Sequence, residues 1–323
     1  MRLYGNALTS VHERLGNPNT QRSIGLFTGV LMFLALDLLQ LDPARFQINA
    51  AGVKRLVKLQ GGLKFLDDYL AHRTFLLVAE LCGAYTFDFP PNYYIQGDIS
   101  QREVARAHFP MPKRLTNQLL SLQQRLSSYP ILYTTLHDMY ALSTHIKHDG
   151  SKAFCVNVAL DPSIYIVSMK YFQILNDIDT STASDEVKAM VAVVAYAGVL
   201  CMNVFRIAIA DCPTLVHRNH ILRMKAGIEV SMGMWNGLED LYLWCLIQGG
   251  IMACGEDRVC FVEFVIEHMR KQGLREWRDV MDILEHVFYV ELIFARDYTM
   301  FGQEVMALPD AEGDTIPLRG FVA

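Results

Sequence analysis

DPARFQINAAGVKRLVKLQGGL, residues 42–63, carries its own beginning and end. An Asp side-chain oxygen can accept from an unpaired amide of a helix's first turn, and proline, with no N–H to lose, suits the first helical position, so Asp42-Pro43 reads as a start. Val53, Leu56, Val57 and Leu63 then recur at helical spacing. Lys54, Arg55 and Lys58 place positive charge near the negative end of a helix dipole, and Gly61 can adopt the left-handed conformation that closes the last turn. The stretch predicts a helix over 43–60 stopped by two glycines.

The same grammar extends through the chain. Asp161-Pro162 is a second start. Behind it Ile164, Val167, Tyr171, Ile174 and Leu175 form one face, with Ile166, Met169 and Phe172 on the other side, which predicts a helix buried almost all round. Periodicity predicts further helices near 4–15, 24–40, 63–86, 113–127, 130–146, 162–176, 186–210, 216–233, 237–250, 257–272 and 275–307. No segment alternates with period two, and no fixed-period repeat appears. The fold class expected is all-α: one large domain of packed antiparallel helices over residues 1–308, with 309–323 as a loosely held tail. FDFPPNYYIQGDI (87–99) and the 146–161 segment read as loops.

Composition supports a thick helical bundle, with 52% apolar against 20% charged residues in a chain of 323. Net charge is −5 with no long basic run, so the electrostatic footprint of a nucleic-acid binder is missing. The densest basic group, Arg102, Arg106, His108, Lys113 and Arg114, reads as a solvated surface. Seven cysteines, at 82, 155, 201, 212, 245, 254 and 260, form no CxxC pair, which fits neither a disulfide framework nor a zinc site. Reduced thiols point to a nuclear or cytoplasmic location. MRLYGNALTSVHERLG at the start has no apolar core of a signal peptide. IGLFTGVLMFLAL (24–36) and AMVAVVAYAGVLCM (189–202) are shorter than a bilayer needs and read as core helices, so no membrane span is expected.

LYGNALTSVHERL (3–15), the Leu-Asp-Pro start at 41–43, LVKLQGG (56–62), LYLWCLIQGG (241–250) and REWRDVMDILEHV (275–287) occur in that order. Their order and spacing resemble the helical regulatory domain of fungal zinc-cluster transcription factors, over about residues 3–307. The resemblance implies an all-α body that binds a protein partner or a small hydrophobic metabolite, needs no cofactor, and acts on transcription in the nucleus. There are departures: Gln60 stands where that family usually has arginine, Asn49 where histidine is frequent, and Phe288-Tyr289 where tryptophan is common. The six-cysteine DNA-reading cluster is not in this sequence, so direct nucleic-acid binding by this chain is not expected and a partner is implied.

An all-α, aromatic-rich domain has a second possible occupation, that of a class I sesquiterpene cyclase of fungal secondary metabolism. Such an enzyme ionises farnesyl diphosphate with carboxylate-held magnesium. LDDYLA (66–71) and NDIDTSTAS (176–184) approach its two metal motifs, which would make Asp67, Asp68, Asn176 and Asp177 metal ligands. Ala71 and Ser184 stand where the remaining acids belong, so the plainer reading is a polar helix face and a loop whose Ser184 caps the next helix. Similarity to humulene-type cyclases, which use an essential lysine, would single out Lys170 or Lys225. The pairs His145/His148 and His217/His220 have metal-compatible spacing but no third ligand, and read as exposed polar residues. Trp235, Tyr242, Trp244, Phe264 and Tyr289 are the candidate lining of a ligand pocket, with core packing as their plainer role.

Overall fold

A computed structural model describes residues 2–17, 20, 22–93, 110–149, 162–210 and 218–307. Among these the chain forms thirteen α-helices and no strand. In order they are α1 (Arg2–Gly16), α2 (Ile24–Leu39), α3 (Pro43–Leu59), α4 (Leu70–Phe87), α5 (Lys113–Arg125), α6 (Pro130–Asp149), α7 (Pro162–Ile178), α8 (Asp185–Ala210), α9 (Arg218–Ser231), α10 (Glu239–Met252), α11 (Gly255–Gln272), α12 (Trp277–Leu284) and α13 (Glu291–Ala307). The expected all-α class is what the chain adopts.

The opening stretch folds as its local chemistry dictates. Asp42 Oδ1 accepts from Arg45 N at 3.0 Å, and Pro43 is the first helical residue. At the other end Gly61 N donates to Lys58 O at 3.1 Å and Gly62 N to Val57 O at 2.9 Å, the paired bonds of a Schellman cap. Gly61 has φ +89°, a conformation costly for any residue with a Cβ.

α8 is the axis of the larger core. It packs against α7, α9, α10 and α13, and its residues Val193 to Ala195 and Val199 to Met202 are wholly buried. Asp185–Val204 is long and apolar enough to cross a membrane by length and composition, although the apolar run within it is short; 78% of it is buried within the fold, against neighbouring helices. A smaller core forms where α2, α3 and α4 meet around Phe27, Val53, Leu56 and Leu76. α4 serves both, since its later residues Leu81, Ala84 and Tyr85 belong to the larger core.

Two expected helices divide. Over 63–86 a 3-10 turn (Leu63–Leu66) precedes α4, and over 275–307 the chain breaks between α12 and α13. Within the second break Val287, Phe288, Tyr289 and Val290 are all buried, so the connection between α12 and α13 is itself part of the core. The start of α12 is held by a capping box between Glu276 and Asp279.

The Gly-Gly of LYLWCLIQGG is no cap. Gly249 and Gly250 lie inside α10, where a Cβ on the first would enter the ring of Phe261 and on the second the ring of Phe301. Gly198 on α8 receives Tyr171 in the same way. Asp161, the 94–99 and 150–161 parts of the predicted loops, Arg102, Arg106, His108, Cys155, Cys212, His217 and the 309–323 tail lie outside the described residues.

Candidate functional site

α4 ends at Asp88, a non-glycine residue in the left-handed region at φ 60°. That turn aims its carboxylate at α9, where His220 Nε2 lies 3.0 Å away, Asn219 Nδ2 donates at 3.2 Å and the Arg223 guanidinium pairs at 3.2 Å. Burial pushes the Asp88 pKa up, but the hydrogen bonds from His220 and Asn219 and the charges of His220 and Arg223 outweigh it, holding the group below its usual range. Arg223 Nη1 also donates to the Tyr196 hydroxyl at 3.4 Å. The His220 ring packs near those of Tyr196 and Phe172, at centroid distances of 5.8 and 6.1 Å.

This constellation forms one wall of a cavity of about 560 Å³. Phe89, Pro90, Phe172, Leu175, Ile178 and Ala192 supply apolar surface, while Asn176 and Asp179 lie at its polar side. His220 is 1% exposed, which corrects its reading as a surface residue. The sequence held a signal for this, because His220, Met224, Gly227, Ile228 and Ser231 follow helical spacing and are all buried. Nothing local pointed to Asp88, whose partners lie more than a hundred residues further along the chain.

The aromatic residues singled out by the sequence divide between groove and core. Trp235, Tyr242 and Phe264 line one groove of about 250 Å³ with Glu239, Glu267, His268 and Lys271. Trp235 stacks on Tyr242 with centroids 4.7 Å apart, and its Nε1 donates to Ser231 Oγ at 3.1 Å. Burial lowers the His268 pKa to about 4, so that ring is neutral near pH 7, and burial followed by the Glu267 charge raises the Tyr242 phenol. Trp244 is instead wholly buried, edge-on to Phe288, and Tyr289 packs with Phe294 and Tyr298.

The residues a cyclase would need are dispersed. Asp67 forms an ion pair with Arg73 and Asp68 is exposed, both beside the smaller core. Asn176 reaches the 560 Å³ cavity and Asp177 is exposed at the end of α7, and no described cavity is lined by both groups. Among the described residues no set of three or more His, Cys, Asp or Glu side chains is placed to hold a metal ion. Ser184 Oγ accepts from Val187 N at 3.4 Å, as the capping reading of NDIDTSTAS expects. Lys170 pairs with Asp138 at 3.0 Å, and Lys225 Nζ lies 3.0 Å from Cys260 Sγ.

Comparison of the chain with protein-family models, curated proteins and solved structures finds no match.

Proposed function

We propose that this chain is a helical regulatory domain that receives a small amphipathic ligand in the cavity walled by Asp88, His220 and Arg223. The observation that carries the reading is a charged, hydrogen-bonded constellation with a buried histidine set beside apolar surface in a cavity of mixed polar and apolar lining. Buried polar groups of this kind are costly unless they are paired, and they commonly orient a ligand. Phe172, Leu175 and Ile178 suit a hydrocarbon body. The Arg223 side chain is 58% exposed and anchored from behind by Asp88, leaving guanidinium surface for an acidic group. A bound ligand would tie the end of α4 to α7, α8 and α9, and the readout is a protein partner through which the domain acts on transcription, as the resemblance implies. Lys170, Lys225 and Asp67, the groups a cyclase would call on, already have partners within the chain.

The test uses 1-anilinonaphthalene-8-sulfonate, which joins an aromatic body to an anionic group. Its fluorescence titration should saturate at one site in the wild type, weaken about tenfold in Arg223→Gln through loss of a charge-assisted contact, and disappear in Leu175→Trp, which fills the cavity. Equal, unsaturable adsorption in all three proteins refutes the site. In parallel, farnesyl diphosphate with magnesium should yield no hydrocarbon product; a magnesium-dependent terpene would overturn the non-catalytic reading.

A further inference from the structure

Lys225 and Cys260, the first of which the sequence marked for other reasons, meet across α9 and α11. Nζ lies 3.0 Å from Sγ, and both side chains are half-buried, open enough for a small oxidant. The sulfur contact comes first, ahead of the Asp257 and Glu229 charges, in holding the Lys225 amine above its ordinary pKa. Cys201 and Cys245 are wholly buried, and desolvation pushes their thiols well up, which suppresses their reactive thiolates.

We propose that Lys225 and Cys260 form a peroxide-responsive cross-link between α9 and α11. In the first step a Cys260 thiolate attacks one oxygen of hydrogen peroxide, forming an S–O bond as the O–O bond breaks. The leaving hydroxide takes a proton from the Lys225 ammonium and departs as water. Sulfur loses two electrons to the peroxide, which leaves a sulfenic acid beside a neutral amine. In the second step the amine attacks that sulfur: an N–S bond forms, the S–O bond breaks, and the hydroxyl leaves with one amine proton as a second water. The product is a sulfenamide. The sum is thiolate, ammonium and one peroxide giving one sulfenamide and two waters, with charge conserved.

The ammonium therefore has two consecutive roles that no hydrophobic or purely hydrogen-bonding neighbour could fill. It supplies the proton that the leaving oxygen needs, and it becomes the nucleophile that removes the sulfenic acid before further oxidation. α9 also carries His220 and Arg223, so the cross-link would fasten the helix that walls the cavity. The chemistry stands independently of any ligand bound there.

The experiment treats the purified full chain with hydrogen peroxide, alkylates the remaining thiols, digests without reductant and maps the peptides by mass spectrometry. The expected result is a linked peptide joining Lys225 to Cys260, lighter than the sum of its parts by two hydrogens and released by dithiothreitol. In Lys225→Met the linked peptide should be lost and Cys260 trapped by dimedone as a sulfenic acid. A wild-type protein in which Cys260 accumulates as free sulfenic or sulfinic acid overturns the proposal. So does one in which Cys260 stays reduced while the exposed Cys254 oxidises. Circular dichroism of both proteins before treatment establishes that each is folded.

Discussion

Replacing Gly249 by alanine sets two effects of opposite sign against each other. Within a helix alanine is favoured over glycine by about 1 kcal/mol, so propensity alone makes Gly249→Ala stabilising. Packing opposes it. The new Cβ would stand 2.8 Å from Phe261 Cδ1 and closer still to Cε1 and Cζ, and Phe261 is wholly buried, with no solvent to retreat into. The ring must withdraw by roughly 1 Å or the helices must part, an overpacking strain of about 3 kcal/mol. The expected balance is a loss of about 2 kcal/mol, read by urea unfolding followed with far-ultraviolet circular dichroism. Gly233→Ala is the control, because no atom lies within 4 Å of its Cβ, and its stability should stay within about 0.5 kcal/mol of wild type. Adding Phe261→Leu removes the ring atoms that collide, so the double variant should recover about 1 kcal/mol relative to the sum of the single ones. A more stable Gly249→Ala, or strict additivity, would show that the glycine does not receive that ring.

Three further predictions bear on the cap and the buried carboxylates. Gly61→Ala meets no atom within 4 Å but keeps φ +89°, so the loss should be about 1 kcal/mol from backbone strain alone in the same unfolding assay. Asp88→Asn removes the charge that holds His220 and Arg223 and should cost about 2 kcal/mol at pH 7. Because Asp88 has a folded pKa below its ordinary 3.8, its stabilisation is present above that value and fades as pH falls through the folded one, so wild type and variant should converge in acid. Asp37 has the opposite sign: burial raises its pKa, and Asn49 Nδ2, donating to Oδ2 at 2.6 Å, offsets this only in part. Its contribution is full below 3.8 and lost as pH rises through the folded value, so Asp37→Asn should be more stable than wild type at pH 7, with the difference vanishing as both are titrated to acid.

How much of the site could be read in advance follows from how far apart its partners lie. The aromatic groove was only partly visible: Tyr242 sits on α10 whereas Trp235 lies in the turn before it, interrupted by Gly237 at φ +78°, so helical spacing does not relate the two and the turn brings them together. Trp244, only two residues beyond Tyr242, points elsewhere and ends beneath Phe288. The spacing placed Lys225 on a helix but held no information about Cys260 on another. Asp88 was invisible, since its role comes from a left-handed turn and three partners on α9.

The two Gly-Gly pairs divide what each level decides. At residues 61 and 62 every relevant bond runs to the preceding five residues, so the local sequence alone determined the cap, as it determined the Asp42-Pro43 start and the all-helical class. At 249 and 250 the rings come from Phe261 and Phe301 on α11 and α13, so the same dipeptide continues a helix instead of ending it. Backbone capping is satisfied within one turn of chain, whereas a ring's approach to a bare backbone depends on how whole helices pack, and only the tertiary structure decides that.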